Sequence, residues 1–293
     1  DTIQIGTYNF ANNASPQFVF WSSSPNSQAD GFPWNDTFRI NRSVQPLPLA
    51  NAGVNQTICQ GTTVAIGPNS VSGFSYVWND LDAQTLYGNT SRVFVTPQYT
   101  TDYELVVTNV NLGCSRRDTV TILVNPKPLI NAGTDRSLCV GSSTQIGAAS
   151  QSGFTYQWRS IPSGFSSTTS NPIVSPNQTT RYILDKTVIG TGCVATDTVL
   201  ISVFGYPSPS IRGVAAPCLN STQIYNTNVV TGHSYLWSVN GGNIVNGQNT
   251  NNIQVNWNSV GNKEVKVIET NTAGCKDTVS INVNIKPLPV ARF

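Results

Sequence analysis

One spacing occurs three times in this chain and limits what it can fold into. Cys59 stands 19 residues before Trp78, Cys139 stands 19 before Trp158, and Cys218 stands 19 before Trp237. A second cysteine closes each copy, at Cys114, Cys193 and Cys275. Successive first cysteines are 80 and 79 residues apart. Self-similarity at a fixed period makes the copy the unit of folding, and it overrides the two domains that a length of 293 residues alone suggests. Small units bury a small share of their surface, so a covalent staple in each copy would offset a thin core.

The spacing sets the expected organisation. Residues 1–47 do not match the repeat and are expected to form an N-terminal β segment or cap, with strand-like pieces at Ile3–Ile5, Gln17–Trp21 and Thr37–Ile40. Repeats are expected over 48–126, 127–205 and 206–288, with 289–293 resembling the start of a further repeat. The joints Pro126-Lys127-Pro128, Tyr206-Pro207-Ser208-Pro209 and Lys286-Pro287-Leu288-Pro289 are rich in proline. Proline fixes φ and favours extended chain before it, so an elongated string of domains is expected.

Each copy ends in a period-two run: Val120, Ile122 and Val124, then Val199, Ile201 and Val203, then Val279, Ile281 and Val283. β-Branched residues in strict alternation mark a half-buried strand. Similar runs precede them, and Gly/Asn-rich turns such as Asn111-Leu112-Gly113 stand between. No stretch carries helical periodicity. The fold class expected is all-β, a tandem array of β-sandwich domains. Tyr76 and Trp78, Tyr156 and Trp158, and Tyr235 and Trp237 are two apart, so each pair leaves its strand on one face. Recurrence at one place in every copy points to core rather than to a sugar-binding platform.

Only 10% of residues are charged and the net charge is +2, too weak a field to argue for nucleic acid. No apolar run approaches the length of a membrane span, so no membrane insertion is expected. Matched cysteines suggest an oxidising compartment. No Cys-x2–4-Cys pair exists to hold zinc, and the sequence has one histidine, His233. The nearly constant separations of 55, 54 and 57 residues suggest the pairs Cys59–Cys114, Cys139–Cys193 and Cys218–Cys275. Loops of that size would stabilise by about 4 kcal/mol each in the chain-entropy model. A rival scheme, Cys114–Cys139 with Cys193–Cys218, would lock neighbouring domains but strand the outer two cysteines, and it must span a final strand of about 23 Å. The first scheme has its own difficulty: in simple up-down strand order, the two cysteines of one copy fall at opposite ends of the domain.

The segments Asn51-Ala52-Gly53-Val54-Asn55-Gln56-Thr57-Ile58-Cys59-Gln60-Gly61 and Asn131-Ala132-Gly133 through Cys139-Val140-Gly141 resemble the opening of the immunoglobulin-like and PKD-like repeats of Bacteroidota cell-surface proteins. Trp237-Ser238-Val239-Asn240-Gly241-Gly242, Ile253 to Trp257 and Thr270 to Cys275 resemble the PKD-like variant. The resemblance spans about residues 48–293. It implies a secreted or cell-surface protein of the adhesin or gliding-motility type, of the kind exported by type IX secretion. Asp-Thr-aliphatic triplets begin at Asp1, Asp118, Asp197 and Asp277. They are similar to the O-glycosylation motif of such proteins, which makes Thr2, Thr119, Thr198 and Thr278 candidate acceptors; an ordinary strand start is the alternative.

Chemistry is sparse. Asn79, Asp80 and Asp82 cluster after Trp78 but have no counterpart in the second copy, which argues against a calcium site. His233 replaces a Phe of the other copies and is expected to cap the core edge. There is no Gly-x-Ser-x-Gly elbow, His-Glu-x-x-His or phosphate loop. No enzyme, metal or cofactor is therefore expected. The expected function is structural: an extracellular adhesin shaft, stalk or surface filament, with other copies of itself or surface glycans as partners. One alternative is a carbohydrate- or host-ligand-binding module using Trp21 and Trp34; another is accessory domains of a larger secreted enzyme.

Overall fold

The computed structural model describes residues 17–21, 37–41 and 47–290. Every regular element among them is a β-strand. The chain divides into two compact units, 1–126 and 127–293, taken in turn below.

The first unit opens with an antiparallel pair, β1 (Gln17–Trp21) and β2 (Thr37–Asn41), in the register Gln17↔Asn41 to Trp21↔Thr37. The first repeat then supplies β3 (Gln56–Cys59), β4 (Val64–Ile66), β5 (Phe74–Asp80), β6 (Thr85–Gly88), β7 (Val93–Val95), β8 (Thr101–Asn109) and β9 (Ser115–Asn125). A five-stranded sheet runs β3-β9-β8-β5-β6, and β4 pairs with β7 in a second layer. β3 is parallel to β9, whereas β5, β8 and β9 are mutually antiparallel neighbours.

Alternation on β8 shows why these residues make a sandwich: Thr101, Tyr103, Leu105 and Val107 are buried and the residues between them are not. Tyr76, Trp78, Leu105, Val107, Val120 and Ile122 from the large sheet share one core with Ile66, Val93 and Val95 from the small one. Trp78 is fully buried, and its indole N–H donates to the Thr90 carbonyl at 3.1 Å.

The second unit holds two cores. Around the first lie β10 (Arg136–Cys139), β11 (Thr144–Gln145), β12 (Phe154–Ile161), β13 (Ser166–Ser167), β14 (Ile173–Val174), β15 (Thr180–Val188) and β16 (Val194–Phe204). Their order, β10-β16-β15-β12-β13 with β11-β14 as the second layer, repeats that of the first unit. Gly147 shows how closely this core is packed. Its φ is +79°, and a Cβ there would lie 2.2 Å from the Ser170 carbonyl oxygen and 2.9 Å from the Trp158 ring. Glycine alone has neither the Cβ nor the penalty for positive φ.

The third repeat supplies β17 (Arg212–Gly213), β18 (Thr222–Asn226), β19 (Ser234–Asn240), β20 (Gly242–Asn246), β21 (Asn252–Trp257), β22 (Gly261–Thr270) and β23 (Lys276–Ile285). It is a more even sandwich, with β17-β18-β21-β20 facing β19-β22-β23. Its final strand departs from the sequence alignment. Asp118 and Asp197 lie opposite Leu105 and Leu184, but Asp277 lies opposite Glu269, two residues nearer the hairpin. The counterparts of Val120 and Ile122 are therefore Ile281 and Val283, not Val279 and Ile281. Val283 and Ile285 are accordingly the fully buried residues of β23.

Candidate functional site at the repeat junction

The cysteines occupy two kinds of place, and each kind is built the same way in every repeat. The first cysteine sits where the opening segment runs beside the end of the last strand: Cys59 pairs with Asn125, Cys139 with Phe204 and Cys218 with Lys286. A tight turn follows, in which the amides of Thr62, Ser142 and Ser221 donate to the carbonyls of Cys59, Cys139 and Cys218. Two residues past each cysteine the backbone turns left-handed, at Gly61, Gly141 and Asn220. Glycine and asparagine are the residues that accept that conformation.

The second cysteine ends the last hairpin. The amides of Asn109, Val188 and Asn271 donate to the carbonyls of Cys114, Cys193 and Cys275 at 2.9, 2.9 and 3.0 Å. A left-handed glycine, Gly113, Gly192 or Gly274, precedes each one. From this hairpin to the residue that pairs with the first cysteine is eleven positions in every repeat. At strand rise that is about 36 Å, whereas a disulfide joins Cα atoms 4.4–6.8 Å apart.

This distance overturns the pairing within each repeat. Cys139 is bonded to Cys275, across 136 residues and with Cα atoms 5.6 Å apart. That excludes both Cys139–Cys193 and Cys218–Cys275. Cys114 and Cys218 are free and exposed, which excludes Cys59–Cys114 and the rival scheme as well. Cys59 and Cys193 are each disulfide-bonded. The staple therefore joins the turn cysteine of one repeat to the hairpin cysteine of the next. The Asn271 side-chain amide reinforces the junction by donating to the Gly205 carbonyl at 2.9 Å.

The remaining candidates are scattered. Thr119, Thr198 and Thr278 are all exposed on final strands. Their preceding aspartates have structural work in the first two repeats: Asp118 accepts from the Ala52 amide at 2.7 Å and Asp197 from the Ala132 amide at 2.8 Å, pinning the opening segment. Asp277, displaced by two residues, instead accepts from its neighbour Thr278. Thr2 and Trp34 lie outside the described residues, as does the side chain of Trp21.

Asp80 accepts from the amides of Asp82 and Ala83, and Asp82 from that of Asp102, so these carboxylates close turns. His233 is at the core edge, with Nδ1 2.6 Å from Glu269 Oε1. Its partner replaces Val107 of the first repeat and Lys186 of the second, at the position opposite the motif tyrosine. Lys186 is satisfied by the Leu129 carbonyl and the Gln151 side chain, and lies over the Phe154 ring. A groove of about 510 Å³ in the second repeat is lined by Ser160, Phe165, Asn177, Gln178 and Tyr182. It holds no carboxylate or histidine. The position-specific swap of Val107 for Lys186 and Glu269 could have been found by aligning the copies on the tyrosine; the staple across repeats could not.

Residues 206–283 match the family model of the PKD-like domain. Comparison with curated proteins finds no match. Among solved structures, the chain is similar to extracellular domains 3–5 of Drosophila OTK, with 11% identity, a TM-score of 0.36, and 82% of this chain and 96% of that one covered. It is also similar to the three N-terminal domains of the bacteriophage RB49 outer capsid protein Hoc, with 11% identity, a TM-score of 0.41, and coverage of 78% and 95%. A third similar structure is titin I67–I69, with 10% identity, a TM-score of 0.34, and coverage of 80% and 96%. The architecture is a tandem array of immunoglobulin-like and PKD-like β-sandwiches, a fold that typically carries no catalytic centre.

Proposed function

We propose that this chain is a load-bearing, non-catalytic part of an extracellular repeat protein, such as a shaft or stalk. The observation that carries the reading is the Cys139–Cys275 bond between successive repeats. A staple inside one repeat protects that repeat alone. A staple from one repeat to the next gives tension a covalent route past the residues between the cysteines. Force entering near Lys127 reaches Cys139, crosses the bond to Cys275 and leaves along β23. The intervening loop then bears no load while the bond holds. Disulfides persist in oxidising compartments, which supports an extracellular setting.

Single-molecule extension tests this reading. Handles are attached through a reactive side chain introduced at position 127 and at the chain end, and the oxidised protein is compared with a Cys139→Ser, Cys275→Ser double variant. Freeing a 136-residue loop should lengthen the fully unfolded tether by about 450–490 Å at 3.3–3.6 Å per residue. Equal final lengths would defeat the reading.

A further inference from the structure

The geometry points to Cys114 and Cys218 as the two complementary halves of another staple of the same kind. Cys218 takes the hairpin cysteine of a like repeat, and Cys114 takes the turn cysteine of a like repeat. The inference rests on the junction reading above and extends it to new partners.

Both free thiols stand in frames that are bonded elsewhere in this chain. Cys218 has the pairing of Cys139, with Lys286 in the place of Phe204. It has the same turn, closed by the Ser221 amide, and the same left-handed residue two positions on, here Asn220. The Leu219 amide donates to the Lys286 carbonyl at 2.8 Å, as the Val140 amide does to the Phe204 carbonyl at 2.9 Å. Cys114 has the hairpin of Cys275, with Gly113 for Gly274 and Asn109 for Asn271. Asn271 is the residue whose side chain reaches the preceding repeat at Gly205, so Cys114 also carries the accessory donor of the bonded junction. Yet Cys275 is 1% exposed, whereas Cys114 and Cys218 are exposed. What the two free frames lack is a facing repeat.

The two halves differ, so each link uses one of each kind and can be made again at the next repeat. The chemistry balances with a low-molecular-weight disulfide such as oxidised glutathione as oxidant. The Cys218 thiolate attacks one glutathione sulfur, that S–S bond breaks, and glutathione leaves as a thiolate. The hairpin thiolate then attacks the Cys218 sulfur and expels the second glutathione. Two protein thiols are oxidised and one glutathione disulfide is reduced to two thiols.

The partner thiol can come from a second copy of this chain or from a further repeat of a longer polypeptide, and two arms separate these sources. In the first arm, a Cys114→Ser variant and a Cys218→Ser variant of the full chain are incubated with oxidised glutathione, separately and mixed. A disulfide-linked dimer in the mixture, absent from either variant alone, shows that a second copy supplies the thiol. In the second arm, natively exported protein is digested without reduction. A Cys218 peptide joined to a Gly-Cys peptide foreign to this sequence shows that a further repeat supplies it. Dimerisation of one variant alone to the level of the mixture would overturn the proposal, because it would mean an exposed thiol without directed pairing. A monomeric mixture together with free Cys114 and Cys218 in native protein would also overturn it. The same digest reports the Cys139–Cys275 peptide, so failure of the internal staple is told apart from failure of this one.

Discussion

Tyrosine hydroxyls and indole N–H groups hold each repeat together at single positions. Tyr76, Tyr156 and Tyr235 accept from the amides of Val71, Gln151 and Val230, each at 2.9 Å. Trp158 and Trp237 donate to the carbonyls of Thr169 and Thr250, as Trp78 does to Thr90. A buried polar atom without a partner is costly, which is why the same side chain and the same loop return together in each copy. A second set of tyrosines gives the fold a pH limit. Burial, with the Asp80 carboxylate adding to it, pushes the Tyr103 hydroxyl up to about 12, and burial also raises Tyr182 and Tyr225. The unfolded chain ionises near the ordinary value of about 10. The contribution of these neutral tyrosines is therefore complete below pH ~10 and declines as pH rises from ~10 towards ~12. Denaturant midpoints followed by far-UV circular dichroism should be flat just below that range and fall within it. Tyr103→Phe should make the fall in the first repeat shallower, and an unchanged slope would refute the assignment.

At the scale of strands, register decides which residues matter. The Asp-Thr-aliphatic triplet opens the buried part of β9 and β16 and places Asp118 and Asp197 beside the opening segment. In β23 the same triplet is two residues closer to the hairpin, and Asp277 has no such tether. Asp197→Asn should therefore lower stability by about 1–3 kcal/mol, the usual cost of weakening a hydrogen bond to a charged group. Asp277→Asn should stay within about 0.5 kcal/mol, as surface changes do. Equal effects at the two positions, read from denaturant unfolding, would contradict the register. Period two predicted the strand at Val279–Val283 and its phase correctly. It was blind to a slip of two residues, because such a slip leaves every side chain on its own face.

Across the whole molecule, the repeat spacing announced three similar cores, and three cores are present. Expected strands at Gln17–Trp21 and in each final run are there as well. The disulfide partners were not legible. Constant spacing within a copy is equally produced by a staple inside it and by one passing to the next copy. What separates the two is the place of a four-residue strand, β3 or β10, beside the end of the last strand. That parallel pairing leaves no mark in hydrophobic pattern, because strands this short carry too little alternation to fix a neighbour. Once it is known, the turn and hairpin cysteines of one repeat lie at opposite ends of a strand about 36 Å long, and a bond between repeats is the one the geometry allows. Peptide mapping of the oxidised chain, alkylated and digested without reduction, tests this account most directly. It predicts a Cys139–Cys275 peptide, alkylated Cys114 and Cys218, and Cys59 and Cys193 closed to alkylation. Recovery of Cys139–Cys193 and Cys218–Cys275 peptides would contradict it.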